Sequence, residues 1–118
     1  MAVGRILFVD DDDNIRFLLQ EELSSAGHEV LAAANGPQAL RLLDDRSPDL
    51  VILDLKMPGM DGLEVLRRIR ARYPKMPVVV FSAFCEPAHE ALALGANGCV
   101  AKSADLTELH QQIRRYCS

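Results

Sequence analysis

Three features that would direct a chain to a membrane, to secretion or to a nucleic acid are missing from this sequence. No apolar run approaches the ~20 residues of a membrane-spanning helix, and the run Ile6–Val9 is too short for a secretory signal. Lysine and arginine number 13 against 17 aspartates and glutamates, so the net charge is −4, with no basic excess for a nucleic acid. We therefore expect a cytoplasmic protein without direct contacts to membrane or nucleic acid.

Cysteine is scarce and shows no pairing pattern. The three cysteines, Cys85, Cys99 and Cys117, are odd in number and lack C-x-x-C spacing. They are typical of free thiols in a reducing compartment. The 118 residues are 49% hydrophobic and 25% charged, which favours one globular domain over residues 1–118.

Short β-branched runs alternate five times with segments of helical periodicity. The predicted strands are Arg5–Val9, Glu29–Ala33, Leu50–Asp54, Val78–Phe81 and Gly98–Ala101. Three of them are apolar nearly throughout, as expected for parallel strands covered on both faces. Short connections between alternating strands and helices predict an α/β fold with a doubly wound parallel sheet.

Five helices are predicted between and after the strands. The first has the apolar stripe Ile15, Leu18, Leu19, Leu23 and Ala26 and ends before Gly27. Asp12 and Asp13 are expected to start this helix, where carboxylates favour the positive end of the helix dipole. Asn35-Gly36-Pro37 opens the second helix, and Asp61 is a suitable N-cap for the third. The fourth runs from about Pro87 to Gly95, and the fifth passes through Leu106, Leu109 and Ile113.

Acidic residues gather at the ends of two predicted strands. Asp10 to Asp13 follow the first strand, and Asp54 closes the third. In open α/β sheets, the carboxyl ends of the strands form the ligand site. Two carboxylates ~4 Å apart repel by roughly 4 kcal/mol at an effective dielectric of about 20. The cluster therefore predicts a site for a hard divalent cation such as Mg²⁺. Ser82 and Lys102 end the fourth and fifth strands at the same edge.

The sequence resembles the receiver domain of bacterial two-component response regulators, from Ile6 to about Tyr116. The similar segments are Val9-Asp10-Asp11-Asp12, Val51 to Gly62, Ser82-Ala83, Gly95-Ala96 and Lys102. The resemblance implies a flavodoxin-like sheet of strand order 2-1-3-4-5, with five helices in a three-layer sandwich.

The resemblance also implies a role for each site residue. Asp54 would accept a phosphoryl group from a sensor histidine kinase or a phosphotransfer protein. Asp11, Asp54 and the backbone carbonyl of Lys56 would ligate Mg²⁺, and Asp10 would assist through water. Lys102 would hold a phosphoryl oxygen, and Ser82 would hydrogen-bond the attached group and act as a switch with the residue at position 99.

A domain of this kind is expected to be a signalling phosphoacceptor rather than an enzyme. It would assist its own phosphotransfer and its slow dephosphorylation. The fourth predicted helix, the fifth strand and the fifth predicted helix would together bind a downstream protein or form a homodimer.

Two positions depart from the family pattern. Cys99 stands where many members have an aromatic residue, and a thiol cannot change rotamer as a ring does. Ser103 follows the active-site lysine where proline is usual, and a cis bond before a residue other than proline costs about 2.5–4 kcal/mol. We therefore expect a trans Lys102–Ser103 bond.

Three other functions are less well supported. A docking module that no longer depends on phosphorylation is compatible with Cys99 and Ser103. A magnesium phosphohydrolase would need a second aspartate two residues after Asp54, where the chain has Lys56. A flavin carrier of similar topology would need a hydroxyl-rich phosphate loop after the first strand, and aspartates there would repel a phosphate.

The remaining charged residues have simpler interpretations. The third helix contains four arginines that are expected to form a solvated face, namely Arg67, Arg68, Arg70 and Arg72. His28, His89 and His110 lack the spacing of metal ligands and are expected on the surface.

Overall fold

The computed structural model describes residues 4–55, 59, 61–82, 92–102 and 106–117, which contain one five-stranded parallel sheet. Its strands are β1 (Arg5–Val9), β2 (Glu29–Ala33), β3 (Leu50–Leu53), β4 (Val78–Ser82) and β5 (Gly98–Ala101). Their order is β2-β1-β3-β4-β5, which confirms the predicted flavodoxin-like sheet. Two strand ends differ by one residue, because Asp54 lies just beyond β3 and Ser82 belongs to β4.

Four helices lie in the described part of the chain. They are α1 (Asp13–Ser25), α2 (Gly36–Arg46), α3 (Gly62–Arg72) and α4 (Thr107–Tyr116). The fourth of the five predicted helices falls mainly on residues 83–91, which lie outside the described residues. The helix α4 therefore corresponds to the fifth predicted helix.

The first three helices begin at side-chain caps that the sequence predicts. Asp12, Asn35 and Asp61 each accept hydrogen bonds at 2.8–3.2 Å from backbone N–H groups two or three residues further on. Such caps satisfy donors that have no partner within the helix, and each contributes about 1 kcal/mol. At the other end of α1, Gly27 has a φ of +96°, the left-handed conformation expected after a helix end.

Helices cover both faces of the sheet, which makes the predicted three layers. On one face, alternate strand residues pack with α2 and α3 through side chains such as Leu40 and Ile69. On the other face they pack with α1 and α4 through side chains such as Leu23 and Ile113. The three inner strands are consequently buried on both sides, and this explains why their sequences are apolar without alternation.

The apolar stripe predicted for α1 is wrong at two positions, because Leu18 and Ala26 are exposed. Leu19 and Leu23 are buried, but Leu18 is 54% exposed, and its neighbour Phe17 is 68% exposed. The side of the α1 helix that contacts the sheet is narrower than the stripe of apolar residues on its surface. An apolar surface is therefore left on α1, next to the carboxyl edge of the sheet.

Three of the four arginines on α3 form the expected solvated face. Arg67 and Arg68 lie 3.9 Å and 3.5 Å from carboxylate oxygens of Glu64. Arg72 pairs with Asp44 at 2.8 Å. These side chains are about half exposed, so each pair contributes little to stability.

Arg70 is the exception, because its guanidinium is inserted between chain segments. It donates two hydrogen bonds to the Gly95 carbonyl, one each to the carbonyls of Tyr73 and Met76, and one to Asn97 Oδ1, at 2.6–3.2 Å. None of these acceptors is a carboxylate. Burial lowers the pKa of Arg70 from its ordinary value. The expectation of a solvated arginine is wrong here, since α3 packs against the turn before β4 and the segment before β5.

His28 is buried, contrary to the expectation of a surface residue. Its Nδ1 accepts a hydrogen bond of 3.3 Å from the Gly4 backbone N–H. Burial lowers the pKa of His28, and the nearby His110 lowers it further. The folded protein therefore prefers the neutral ring, because protonation of Nδ1 would remove the acceptor that Gly4 uses.

We expect His28 to make the protein less stable in acid. The unfolded chain binds this proton near pH 6.5, the ordinary value, and the folded chain binds it only at lower pH. The stability from the neutral ring is thus complete above pH 6.5 and declines as the pH falls towards the folded pKa. Urea unfolding should show a slope of at most about 1.4 kcal/mol per pH unit from this group, and His28→Asn should reduce it. An unchanged slope in His28→Asn would show that other groups cause the acid sensitivity.

Among the described helices, none is both long and apolar enough to cross a bilayer. Cys99 and Cys117, the two cysteines among the described residues, are not joined by a disulfide. Cys85 lies outside the described residues. Burial and the negative charge of Asp49 raise the pKa of Cys117 to about 11, so this thiol is a poor nucleophile.

Candidate phosphoacceptor and cation site

The register of β1 and β3 brings two aspartates to the same edge of the sheet. Val9 pairs with Leu53 at the ends of these strands, so Asp10 and Asp54 follow immediately and side by side. The Asp54 N–H donates to the Val9 carbonyl at 2.9 Å. Both side chains are buried, with relative exposures of 0% for Asp10 and 4% for Asp54.

Asp10 is held by contacts from Asp12 and from Arg16 on α1. Its Oδ1 accepts a hydrogen bond of 2.9 Å from the Asp12 N–H. Its backbone carbonyl accepts one of 2.7 Å from Arg16 Nη1. Arg16 also forms an ion pair with Asp13. The sequence did not suggest Arg16 as part of the site. The signal that could have indicated it is a basic residue in the first turn of a helix that follows an acidic run.

Asp11 completes a cluster of three carboxylates. One oxygen from each of Asp10, Asp11 and Asp54 lies within 4.8 Å of the others, and Asp11 is the exposed member. The structure therefore brings together the three aspartates that the sequence placed at strand ends. Asp12 and Asp13 instead begin α1, as predicted.

Lys102 supplies the positive charge in this cluster. Ser82 pairs with Ala101 at the end of β4 and β5, and the Lys102 N–H donates to the Ser82 carbonyl at 2.8 Å. The Lys102 amine lies 2.9 Å from Asp10 Oδ2 and 3.4 Å from Asp54 Oδ1. Burial acts to lower the pKa of Lys102, but the hydrogen bond and charge of Asp10, together with Asp54, outweigh it and raise the pKa.

The donor set fits a divalent cation that prefers oxygen. Three carboxylates and one ammonium group leave two net negative charges in a mostly buried space. Asp10 Oδ2 is buried, and its polar contact among the described residues is the Lys102 ammonium at 2.9 Å. Carboxylate oxygens at this density are suited to Mg²⁺.

The other predicted site residues lie on β4 and β5 or outside the described residues. Ser82 is the buried last residue of β4, next to Lys102. Cys99 is half-buried on β5 and packs on the face covered by α2 and α3. Lys56 and the Lys102–Ser103 bond involve positions outside the described residues, so the predicted carbonyl ligand and trans bond remain predictions.

Gly62 is a site residue that sequence reasoning missed. Its N–H donates to the Leu55 carbonyl at 3.0 Å. A Cβ on Gly62 would lie 2.4 Å from both the Asp54 carbonyl oxygen and the Leu55 Cα. Only glycine therefore allows α3 to start so close to the backbone that holds Asp54. In the sequence, Asp61-Gly62 shows only a helix cap and a turn.

Gly62→Ala should destabilise the protein by about 2–3 kcal/mol, in the range of overpacked core positions, and should slow phosphorylation because the Asp54 backbone must move. The matched control is Gly98→Ala, whose Cβ would meet only the flexible Gln112 side chain at 3.3 Å. Urea unfolding measures the difference between the two variants. Equal stabilities would contradict the close approach at Gly62.

Comparisons with known proteins agree with this architecture. The family model of the response regulator receiver domain matches residues 6–114. The sporulation initiation phosphotransferase F of Bacillus subtilis (strain 168) is 40% identical over 118 residues, covering 98% of this chain and 95% of the relative. Regulatory protein AtoC of Escherichia coli (strain K12) is 41% identical over 116 residues, which are 97% of this chain but only 25% of AtoC.

A solved structure shows the same fold. The response regulator TrrA from Thermotoga maritima, crystallised in complex with Mg²⁺–BeF, superposes with a TM-score of 0.89. Its sequence is 38% identical, and the match covers 95% of this chain and 97% of that one.

A doubly wound parallel sheet with three aspartates and a lysine at its carboxyl edge defines the phosphoacceptor class of signalling domain. The chain belongs to the response regulator receiver domain family. It is a phosphoacceptor domain of two-component signalling, as its sequence predicted.

Proposed function

We propose that Asp54 is the residue that accepts the phosphoryl group, with Lys102 and Ser82 as its catalytic partners. Asp54 is slightly exposed, whereas Asp10 is fully buried and held on both oxygens. The Lys102 amine at 3.4 Å from Asp54 Oδ1 is the observation that best supports this assignment.

The transfer needs no general base, because a carboxylate is already ionised at neutral pH. An Asp54 oxygen attacks the phosphorus of a phosphohistidine on the donor protein. The new O–P bond forms an acyl phosphate as the N–P bond breaks, and the electron pair returns to the histidine ring. The Lys102 ammonium is positioned to neutralise charge on the phosphoryl oxygens, which is the main catalytic requirement of phosphoryl transfer.

Asp11 and Asp54 are the proposed direct ligands of Mg²⁺, with the Lys56 carbonyl as a third and Asp10 acting through water. Bound magnesium supplies positive charge to the phosphoryl oxygens. The carboxylates of Asp10 and Asp11 would also keep the positive charge of the ion next to Asp54. The clustering of the three carboxylates within 4.8 Å supports this assignment.

Phosphorylation would be transmitted along the edge of the sheet. The new group adds about 1.5–2 negative charges and three strong acceptors, and the Ser82 hydroxyl can donate to them from the end of β4. Since Cys99 on β5 is too small to act as an aromatic switch, the backbone contact between Ser82 and Lys102 at 2.8 Å is the more direct connection to β5. The output surface would comprise β5, α4 and the fourth predicted helix.

The chain would act as one receiver domain over residues 1–118, in the cytoplasm, as a stoichiometric switch rather than a turnover enzyme. Its donor would be a sensor histidine kinase or a phosphotransfer protein. The exposed side chains of Phe17 and Leu18, beside the acidic edge, support a protein donor. A downstream protein, or a second copy of the chain, would bind the output surface.

The test is phosphoryl uptake from acetyl phosphate, measured by intact-protein mass spectrometry with and without EDTA. We expect one added phosphoryl group per chain, only in the presence of Mg²⁺, and mapping of the modified residue to Asp54 after borohydride reduction. Uptake that is independent of Mg²⁺, or that maps to another aspartate, would refute the assignment. Sustained release of phosphate would indicate a phosphohydrolase.

A further inference from the structure

The Lys102 side chain needs packing contacts along its stem to keep its amine in the site. Lys102 follows β5, the edge strand of the sheet that the described residues form, so no strand of that sheet lies on its outer side. A lysine has four flexible methylene groups and retains considerable rotamer freedom unless its stem is packed. Nevertheless, its side chain is only 22% exposed and its amine reaches two carboxylates.

Lys102 lies at the wall of an apolar cleft of about 250 Å³. The cleft lies between α1, the end of β4 and the start of α4, and is lined by Ile15, Leu18, Leu19, Phe81, Lys102 and Leu106. Phe81 is the aromatic member of this lining and is 3% exposed. The amine of Lys102 lies 5.9 Å from the centroid of the Phe81 ring.

The Phe81 ring also has one aromatic neighbour in the core. It packs edge-on against Phe8, with ring centroids 6.3 Å apart and an interplanar angle of 62°. Phe8 is fully buried on β1. The face of an aromatic ring is negative, so it attracts an ammonium group within about 6 Å. The ring therefore offers Lys102 both an apolar surface for its stem and an electrostatic contact for its amine.

We propose that Phe81 is a positioning residue for phosphorylation, which holds the Lys102 amine between Asp10 and Asp54. The proposal rests on the proposed role of Lys102 in phosphoryl transfer. Phe81 touches no reacting atom, so its effect is exerted entirely through Lys102. Without the ring, the Lys102 amine should spend more time in solvent, where it cannot neutralise charge in the site.

The test compares Phe81→Leu with the matched control Phe8→Leu. Each variant removes one ring of the same buried pair, but only Phe81 faces Lys102. With saturating Mg²⁺ and acetyl phosphate, we expect Phe81→Leu to slow phosphorylation about fivefold, equivalent to about 1 kcal/mol at 1.36 kcal/mol per tenfold. Phe8→Leu should change the rate less than twofold. Phe81→Met replaces Phe81→Leu if the latter does not fold.

A double-mutant cycle shows whether the effect passes through Lys102. In a Lys102→Met background, Phe81→Leu should produce no further slowing. In NMR spectra of the metal-free protein, the Lys102 Hε resonances should lose their ring-current shift in Phe81→Leu and keep it in Phe8→Leu. Equal slowing by the two leucine variants, or full slowing in the Lys102→Met background, would overturn the proposal. Failure of wild-type uptake at Asp54 would instead refute the proposed function.

Discussion

Asp54→Asn is expected to abolish phosphoryl uptake while the protein remains at least as stable as the wild type. An amide oxygen is a far weaker nucleophile than a carboxylate oxygen, so neither kinase nor acetyl phosphate should modify the variant at this position. A loss of uptake without a loss of folding would separate the chemistry of Asp54 from its structural role.

The expected stability follows from the charges around Asp54. At separations within 4.8 Å and an effective dielectric of about 20, its repulsions with Asp10 and Asp11 cost about 3.5 kcal/mol each. Its attraction to Lys102 across 3.4 Å contributes about 5 kcal/mol on the same scale. The two repulsions together exceed the one attraction. Replacing Asp54 with a neutral residue therefore removes more repulsion energy than attraction energy.

The matched control is Asp13→Asn. Asp13 belongs to the same acidic run, but its side chain is 89% exposed and pairs with Arg16 outside the cluster. This variant should take up phosphoryl groups at the wild-type level. Mass spectrometry measures the uptake, and urea unfolding in EDTA measures stability. One phosphoryl group per chain in Asp54→Asn, or a marked loss of its stability, would contradict the electrostatic argument.

Arg70→Met is expected to cost about 3 kcal/mol of stability, the largest effect of any single charged side chain on α3. The substitution keeps the apolar stem but removes five hydrogen bonds. The carbonyls of Tyr73, Met76 and Gly95 then lose a charged donor. Hydrogen bonds to charged groups contribute about 1.5–3 kcal/mol each, and water can replace some of them at partly exposed carbonyls.

Arg72→Met provides the matched control, two residues further along the same helix. Arg72 pairs with Asp44, and both side chains are about half exposed, so its loss should cost less than about 1 kcal/mol. Urea unfolding of the two variants should differ by at least about 2 kcal/mol, judged by the hydrogen-bond energies above. Similar stabilities would mean that the Arg70 contacts are replaced by solvent without cost.

The elements that sequence reasoning predicted correctly are those with local causes. The three inner strands were recognisable because parallel strands buried on both faces need uninterrupted apolar residues. The starts of α1, α2 and α3 were recognisable because a capping side chain lies two or three residues from the donors that it satisfies. The acidic cluster was predictable because the carboxyl ends of parallel strands share one edge.

The predictions that failed depend on contacts between distant segments. Leu18 has the periodicity of a core residue, yet the sheet offers α1 a narrower surface than its apolar stripe. His28 is buried, and its Nδ1 accepts a hydrogen bond from Gly4, 24 positions away along the chain. The role of Gly62 against Asp54, which the sequence did not indicate, exists only once α3 packs on the end of β3.

By itself, the sequence determined the order of strands and helices and the set of carboxylates at one edge of the sheet. Only the tertiary structure decided which arginine of α3 is bound by other segments of the chain. Arg70 and Arg72 are both arginines near the end of α3, and one is bound by backbone carbonyls while the other faces solvent. The physical reason is that burial depends on the segment that packs opposite a residue, and residues 95–97 meet Arg70 from 25 or more positions away along the chain.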